Sequence, residues 1–467
     1  MRVRPDLTRR VGFWCACSGL GAVVLGMVLV LLLGPGAAAA PHGRQVVSCI
    51  PSVQGPIPIS STSAPYVPRA LEGPWPLAPG YVEQEFFVSC TALGQRYKTR
   101  VFLRRPRSPH RFSGTVVTEV PDGPLWTTSY FTSRYEMSAG IASIIVESVP
   151  GFLDSVVKPA DPTRYASLHI PDLPNINYEI EAQVGALLKA NARDKLLSGL
   201  HVRNVIFAGY SGSAAEVRGY IAHEHFQVRL RRGRPIYDGY FPQQTAVGSA
   251  PTPIPNLDVP VVEIQGEREL INTFQRVGHL GYRRADGPRY RLYEVPAQPH
   301  LPTRSAELAP FYRGWTCVSP RGPFSVADPT IATQFWHGAI SDMGLRNLVR
   351  WVADGVPAPS AARIRLIGHT VVRDRYGNAV GGVRSSYVDV PFASYAALSI
   401  NYQPGTRCDM IGYQFRLGAA TLKHLYPTHA SYVRRVRVDL ARLQTQGWIT
   451  AQDAAAELRE AARANVP

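Results

Sequence analysis

Apolar residues along the chain fall into short continuous runs that alternate with segments of helical spacing. The runs that predict strands are Phe86–Cys90, Lys98–Leu103, Gly114–Val120, Ile141–Val146, Val202–Ala208, Tyr237–Phe241, Val259–Gln265 and Tyr290–Val295. The segments that predict helices are Ile180–Leu197, Ser213–His225 and Leu345–Asp354. The first two strands are expected to form a hairpin. The alternation that follows predicts an α/β fold, with a mostly parallel sheet and helices on both faces.

The two ends of the chain differ from this alternating middle. Residues 41–80 are rich in Pro, Ser and Gly and predict an extended, irregular lead-in. From about Ala358, short strand-like pieces and a glycine-rich turn precede a final helix near Ala441–Ala464. No long linker separates this part from what precedes it. We therefore expect one domain over residues 81–467, in which residues 358–467 are an elaboration packed on the core.

Residues 1–40 have the layout of a secretory signal peptide. Its basic region comprises Arg2, Arg4, Arg9 and Arg10. A dense apolar stretch, Ala22–Leu33, and the small residues Ala37–Ala40 follow. We therefore expect a secreted or extracytoplasmic protein. An uncleaved N-terminal anchor is the alternative, because the wider stretch Val11–Leu33 is long enough to span a bilayer.

Four cysteines follow the predicted signal peptide: Cys49, Cys90, Cys317 and Cys408. An even number in an exported chain favours disulfides, although free buried thiols are the alternative. Of the three pairings, we expect Cys49 with Cys90 and Cys317 with Cys408, because each pair falls within one end of the chain.

Composition and charge narrow the classes of partner. Hydrophobic residues make up 45% of the chain and charged residues 18%, which are globular values. The formal net charge is +16, but the basic residues are spread out, and no zinc-finger or RNA-binding motif accompanies them. We therefore expect no nucleic-acid partner, and relate the charge to solubility or to association with an anionic cell envelope. No sequence feature indicates the oligomeric state.

The strongest signal for chemistry is the segment GYSGS, Gly209–Ser213, between a predicted strand and a predicted helix. A serine hydroxyl needs an exposed position and an adjacent base to act as a nucleophile. A sharp strand-to-helix turn provides the exposure, and small residues two positions before and after the serine let that turn close. Here these are Gly209 and Ser213, the second at a site where glycine is usual. The pattern predicts Ser211 as a nucleophile, and an ordinary glycine-rich turn is the alternative.

A carboxylate that supports such a serine should follow a later strand, and a histidine should come after it. The turn after the strand Val259–Gln265 offers Glu267 and Glu269. The spacing Gly-x-x-acid favours Glu269, while Glu267 and a merely solvated charged turn stay open. His300 lies on the loop after the strand Tyr290–Val295, where a general base is expected.

A second histidine, His337, comes before the predicted helix Leu345–Asp354. We take it as the second choice for the base, because a role in packing near the site or in capping that helix suits its position better.

Several segments resemble the secreted bacterial "alpha/beta hydrolase domain" family of the α/β-hydrolase superfamily. They are YKTRVFLRRPRSPHRFSGTVVTEV, DPTRYASL, IYDGYFPQ, YRLYEVPAQPH, LRNLVRWVADGVPAPSA and RYGNAVGGVRSSYVDVP. Each is modestly specific alone, but they follow one another over most of the chain. The resemblance implies a serine hydrolase with its nucleophile at Ser211, its acid in the Glu267–Glu269 turn and its base at His300. It also implies that the C-terminal part belongs to the same domain.

The predicted oxyanion site departs from the family pattern. Gly212 places a backbone N–H at the start of a helix, which suits an oxyanion donor. The loop after the strand Gly114–Val120 usually carries an asparagine and glycines, but here it reads Val120-Pro121-Asp122-Gly123. Proline has no N–H, so the second donor is expected at Val120, with Asp122 or a neighbour as the alternative.

Together these residues predict a serine esterase that hydrolyses carboxylic esters through Ser211, Glu269 and His300. The expected substrate is a small-molecule or lipid-like ester, and no metal or organic cofactor is needed. Three alternatives stay open: an acyltransferase that uses the same triad, a peptidase, and a catalytically inactive hydrolase-fold protein of the cell envelope.

Overall fold

The computed structural model describes residues 45–67, 76–122, 128–190, 196–197, 199–245, 253–303, 312–401 and 407–467. The predicted signal peptide, residues 1–40, lies outside these ranges and stays a prediction. In chain order the strands are β1 Gln45–Val46, β2 Ser52–Gln54, β3 Tyr81–Ala92, β4 Gln95–Pro106, β5 Thr115–Glu119, β6 Ala142–Val146, β7 Asn204–Tyr210, β8 Val228–Arg229, β9 Gly239–Gln243, β10 Val261–Gly266, β11 Tyr290–Val295, β12 Thr316–Ser319, β13 Gly322–Ser325, β14 Leu366–Ile367, β15 Thr370–Val371, β16 Ala393–Ala396, β17 Ile400–Asn401 and β18 Tyr413–Arg416.

Within the described residues, the central sheet has nine strands in the order β11-β10-β9-β7-β5-β6-β4-β3-β2. The six strands from β11 to β6 in this order are parallel to one another. The strands β4, β3 and β2 form an antiparallel edge. The predicted hairpin is β3 with β4, and it is longer at both ends than its apolar runs suggested.

Both faces of the parallel strands are buried, which explains why their sequences read as unbroken apolar runs. Successive side chains of a strand point to opposite faces. Val116 of β5 and Phe207 of β7 therefore lie in one core, while their neighbours Val117 and Ile206 lie in the other.

Helices cover each of these faces. In chain order the main helices are α1 Thr128–Ser138, α2 Ile176–Lys189, α3 Gly212–His223, α4 Glu267–Val277, α5 His337–Asp354, α6 Ala419–Leu425, α7 His429–Gln446 and α8 Ala451–Arg463. The side chains of α2 and α3 fill the core on one face, and those of α5, with Tyr135 of α1, fill the core on the other. The predicted fold class, a mostly parallel sheet between two helical layers, is therefore confirmed.

Shorter helical turns connect these elements. They are Pro109–Arg111, Pro150–Phe152, Leu153–Val157, Lys158–Ala160, Arg231–Gly233, Ser386–Asp389 and Cys408–Met410.

Two predicted helices have the wrong bounds. The helix predicted over Ile180–Leu197 begins earlier and ends at Lys189. Leu197 fits the apolar spacing of the helix because it is buried, but it lies in a bend after the helix has ended. The helix predicted from Leu345 begins at His337, and its first turns contain residues with low helix propensity. Gly344 is needed there, because a Cβ atom would lie 2.6 Å from the Ile264 side chain.

The final predicted helix is two helices. Gly447, with φ of 83°, ends α7, and α8 begins at Ala451. A left-handed glycine is a common end of a helix, so the continuous apolar spacing of this segment hid a real break. This C-terminal part contacts the sheet, where the Trp448 ring packs edge-on against Tyr293 of β11.

Two disulfides join Cys49 to Cys90 and Cys317 to Cys408, which is the expected pairing. The first ties the lead-in to β3, and the second ties β12 to the Cys408–Met410 turn. In the part of the chain that the structure describes, no helix is both long enough and apolar enough to cross a membrane.

Candidate active site

Ser211 lies in the tight turn between β7 and α3, at the carboxyl end of a central parallel strand. Its backbone has φ of 60° and ψ of −119°, a conformation that is strained for any residue with a side chain. The neighbouring strand holds this conformation, since the Ser211 N–H donates to the carbonyl of Gln243 at 2.9 Å. The turn raises the serine side chain out of the sheet, as a nucleophile requires.

The residues two before and two after Ser211 close this turn in different ways. A Cβ atom on Gly209 would lie 2.3 Å from the carbonyl oxygen of Ser213, so glycine is required there. The Ser213 hydroxyl accepts a hydrogen bond from the Tyr210 N–H and donates one to the Tyr210 carbonyl, both at 2.8 Å. The serine that replaces the usual glycine therefore fastens the turn with its own side chain.

The structure brings Ser211, His300 and Glu269 together in one hydrogen-bonded chain. Ser211 Oγ is 2.9 Å from His300 Nε2, and His300 Nδ1 is 2.6 Å from Glu269 Oε1. An ionised carboxylate can only accept, so Nδ1 carries the proton and Nε2 is left to accept from the serine hydroxyl. This tautomer is the one in which the imidazole can take the serine proton.

The two candidate glutamates have different partners, although both lie in the first turn of α4 and both are buried. Glu269 contacts the His300 ring. Glu267 instead accepts from the Ala297 N–H at 2.7 Å and from the Arg373 guanidinium at 2.6 Å. Glu267 therefore holds the backbone of the loop that carries His300, and the third reading, a solvated turn, is wrong.

The charge on Glu269 is stabilised despite its burial. Burial alone would raise the pKa of Glu269, but the pKa lies below its usual value, because His300 and then Arg268 stabilise the carboxylate. The guanidinium of Arg268 reaches Glu269 Oε1 at 3.2 Å. The carboxylate can therefore stay ionised while it orients the imidazole.

The loop that carries His300 is fixed by neighbours on two other elements. The Tyr210 hydroxyl donates to the His300 carbonyl. His337 Nε2 is 2.7 Å from the carbonyl of Pro299, and burial lowers the pKa of His337 to about 4. A neutral His337 donates this hydrogen bond. His337, the second choice for the base, therefore supports the loop that carries His300 and makes no hydrogen bond to Ser211.

The predicted oxyanion donor at Gly212 already has a partner. Its N–H donates to the Asp122 carboxylate at 2.8 Å, and a Cβ atom on Gly212 would lie 2.4 Å from that carboxylate. Val120 lies directly after β5 and is buried, next to the end of β7. The predicted donor at Gly212 is thus occupied by an acidic side chain from the segment that follows β5, the segment that also carries Val120.

Comparison with protein families gives one match that spans most of the chain. The profile of the "Alpha/beta hydrolase domain" family matches residues 53–459. The chain belongs to this family. The match covers Ser211, α6, α7 and most of α8, so the resemblance drawn from short segments is confirmed. A search of curated proteins gave no match.

A search of solved structures gave matches to hydrolases, among them the following three. A Klebsiella pneumoniae protein assigned as a dienelactone hydrolase is 12% identical, with 58% of this chain and 99% of its own aligned and a TM-score of 0.30. A cold-adapted esterase from an Arctic intertidal metagenomic library is 11% identical, with 46% and 83% aligned and a TM-score of 0.27. Brefeldin A esterase, a bacterial homologue of human hormone-sensitive lipase, is 11% identical, with 46% and 69% aligned and a TM-score of 0.28.

Sequence reasoning missed two features of this hydrolase-family site. It considered Asp122 only as a backbone donor, whereas the Asp122 side chain occupies the Gly212 N–H. It also gave no role to Asp409, whose carboxylate and carbonyl both accept from Arg268. A carboxylate near the glycine-poor oxyanion loop was a usable signal for the first, but no local pattern marks the second, which is 141 positions away from its partner.

Proposed function

We propose that this protein is a serine hydrolase that cleaves carboxylic esters through an acyl-enzyme intermediate. The observation that carries the proposal is the hydrogen-bonded chain from Ser211 through His300 to Glu269, with the serine on a strained strand-to-helix turn. Membership of the alpha/beta hydrolase domain family agrees with this chemistry.

The chain supports acylation in the following way. Ser211 Oγ attacks the ester carbonyl carbon, and its proton passes to His300 Nε2. The Glu269 carboxylate stabilises the imidazolium that forms. When the tetrahedral intermediate collapses, the imidazolium gives its proton to the departing alkoxide and the alcohol leaves. Water then repeats the sequence on the acyl-enzyme and releases the carboxylic acid.

The oxyanion donors in this proposal are the backbone N–H of Gly212 and a second donor at Val120. A carbonyl oxygen that gains negative charge cannot share the Gly212 N–H with a carboxylate, because like charges at hydrogen-bond distance repel. The proposal therefore requires the Asp122 side chain to turn away when substrate binds. The nucleophile and base need no comparable movement, since their hydrogen bond is already formed.

The expected substrate is a small or lipid-like ester met outside the cytoplasm. The two disulfides are compatible with an extracytoplasmic protein. Export through the N-terminal segment and association with an anionic envelope are parts of the proposal that follow from the sequence.

A fluorophosphonate probe with a panel of p-nitrophenyl esters tests the proposal. We expect the purified wild-type protein to be labelled and to turn over short esters. Ser211→Ala should abolish labelling and lower kcat by about 10⁴-fold or more, because the covalent step is lost. A folded wild-type protein, checked by circular dichroism, that neither labels nor turns over any ester would overturn the function. Labelling that persists in Ser211→Ala would assign the nucleophile elsewhere.

A further inference from the structure

The Cys408–Met410 turn contacts both segments that carry the acid and the base. The carbonyl of Asp409 accepts from Arg268 Nε at 2.8 Å, and its carboxylate accepts from Arg268 Nη2, also at 2.8 Å. The carbonyl of Met410 accepts from the N–H of Leu301 at 2.9 Å. Arg268 precedes Glu269 and Leu301 follows His300. The one short turn is therefore hydrogen-bonded to the residue before the acid and to the residue after the base.

Arg268 connects this turn to the proposed triad. Its Nη1 donates to Glu269 Oε1 at 3.2 Å, the same oxygen that receives the His300 Nδ1–H. The second Glu269 oxygen has no hydrogen-bond partner among the described residues. Arg268 is itself buried, and the two hydrogen bonds that it donates to Asp409 fix the plane of its guanidinium. The direction of the Glu269 carboxylate therefore depends on Asp409 through Arg268.

A disulfide holds the turn in place. Cys408 is joined to Cys317 in β12, and both residues are fully buried. The carbonyl of Cys408 also accepts from the Ser399 N–H at 3.2 Å. A helical turn of three residues has little structure of its own, so its position relative to α4 rests on these links.

We propose that the Cys408–Met410 turn, fixed by the Cys317–Cys408 disulfide, aligns the acid and the base. Arg268 and Asp409 are its positioning residues, and turnover depends on this disulfide more than on Cys49–Cys90. The inference rests on the proposed function, because alignment matters only where Ser211, His300 and Glu269 carry out the reaction.

Arg268 also sets the charge around the imidazole. Among the described residues, the charged and titratable groups near His300 and its acid include Glu269, Arg268 and Glu267 on α4, Tyr210 on β7, Tyr282, His337 at the start of α5, Arg373 beside Glu267, Asp409 with Arg407 beside it, and Asp122 at the Gly212 N–H. Burial raises the pKa of the Tyr210 hydroxyl and lowers that of His337 to about 4, so both are neutral near pH 7. Arg268 is the buried cation of this group. Burial raises the pKa of Glu269, whereas His300 and then Arg268 lower it, so removing Arg268 lets Glu269 lose its charge at a higher pH. The acid limb of the pH–rate profile should then move to higher pH.

The test compares Arg268→Gln, Arg268→Lys and Asp409→Asn with wild type in p-nitrophenyl ester turnover over a range of pH. Arg268→Gln should lower kcat about tenfold or more, with KM within about twofold, and should move the acid limb up. Arg268→Lys keeps the positive charge, so its acid limb should lie at the wild-type pH. Its kcat should recover only in part, because lysine cannot make the same hydrogen bonds. Asp409→Asn, which retains the backbone acceptor, should lower kcat by about threefold and keeps the test valid if Arg268→Gln does not fold.

The matched control is Arg229→Gln, which removes an equally buried arginine paired with Asp258 and leaves Glu269 and Glu267 untouched. We expect its kcat within about twofold of wild type and its acid limb unmoved. Equal kcat and equal pH profiles for Arg268→Gln and Arg229→Gln would overturn the role of Arg268.

The disulfides provide a second comparison. The double variant Cys317→Ala/Cys408→Ala should lower kcat about tenfold at a temperature where it is folded, while Cys49→Ala/Cys90→Ala should lose stability but keep kcat within about twofold. The same kcat for both double variants would overturn the role of the turn. Wild-type protein that neither labels with fluorophosphonate nor hydrolyses any ester would contradict the proposed function itself.

Discussion

The two sides of Ser211 are organised in opposite ways. On one side, Glu269 lies in the first turn of α4 and His300 lies on a short loop after β11. The two hydrogen bonds that link Ser211, His300 and Glu269 are both formed. On the other side, the Gly212 N–H is occupied by Asp122, which follows β5 on a loop. In the proposed mechanism, the proton-transfer half is therefore ready before substrate arrives, whereas the oxyanion half has to rearrange. Substitutions on the two sides should change activity in opposite directions.

Of the residues on either side of Ser211, the acid of the proton-transfer half should show the largest effect. Glu269→Gln should lower kcat by about 10³- to 10⁴-fold, because an amide can stabilise neither the imidazolium nor the required tautomer of His300. Glu267→Gln is its matched control, with an expected loss of less than about tenfold, since Glu267 contacts the Ala297 backbone and Arg373. Steady-state turnover of a p-nitrophenyl ester measures both.

A severe loss in Glu267→Gln together with a mild one in Glu269→Gln would reverse the assignment of the acid. Circular dichroism on both variants separates a catalytic loss from a folding defect.

The ready half could be predicted from sequence because its residues follow parallel strands. The carboxyl ends of β7, β10 and β11 meet at one edge of the sheet, so Ser211, Glu269 and His300 had to come together once the strands were recognised. The choice between the two glutamates needed the structure, because two residues of the same type two positions apart in a helix differ only in the direction in which their side chains point. The position of the Asp122 carboxylate could also be learned only from the structure, since no periodic pattern describes a loop.

Long-range contacts were the least predictable part of the site. Asp409 reaches Arg268 across 141 positions, and neither residue shows a motif. The predicted helix bounds were wrong in two situations. At Leu197 the buried residues continue past the end of the helix, and at Gly344 close packing against the sheet requires a glycine inside the helix.

A smaller effect of opposite sign is expected on the oxyanion side. Asp122→Ala removes the carboxylate that competes with a substrate oxygen for the Gly212 N–H. We expect kcat/KM for an uncharged p-nitrophenyl ester to rise roughly three- to tenfold, as the cost of breaking a charge-assisted hydrogen bond disappears. Asp122→Asn keeps the acceptor without its charge and should fall between wild type and Asp122→Ala.

A fall in kcat/KM for both Asp122 variants would contradict this view of the oxyanion side. It would mean that the carboxylate contributes to the reaction, and that the Gly212 N–H is not the donor that binds the oxyanion.

The smallest effect is expected at the turn that joins the two sides. Ser213→Ala removes two hydrogen bonds to the Tyr210 backbone but adds no atoms beside Gly209. Each such bond contributes about 1 kcal/mol, so the free energy of unfolding should fall by about 1–2 kcal/mol, measured by denaturant titration. The kcat should stay within about threefold, because the Gln243 carbonyl still holds the Ser211 N–H. A loss of activity as large as that of Glu269→Gln, without a loss of stability, would show that the Ser213 hydroxyl acts on the nucleophile itself.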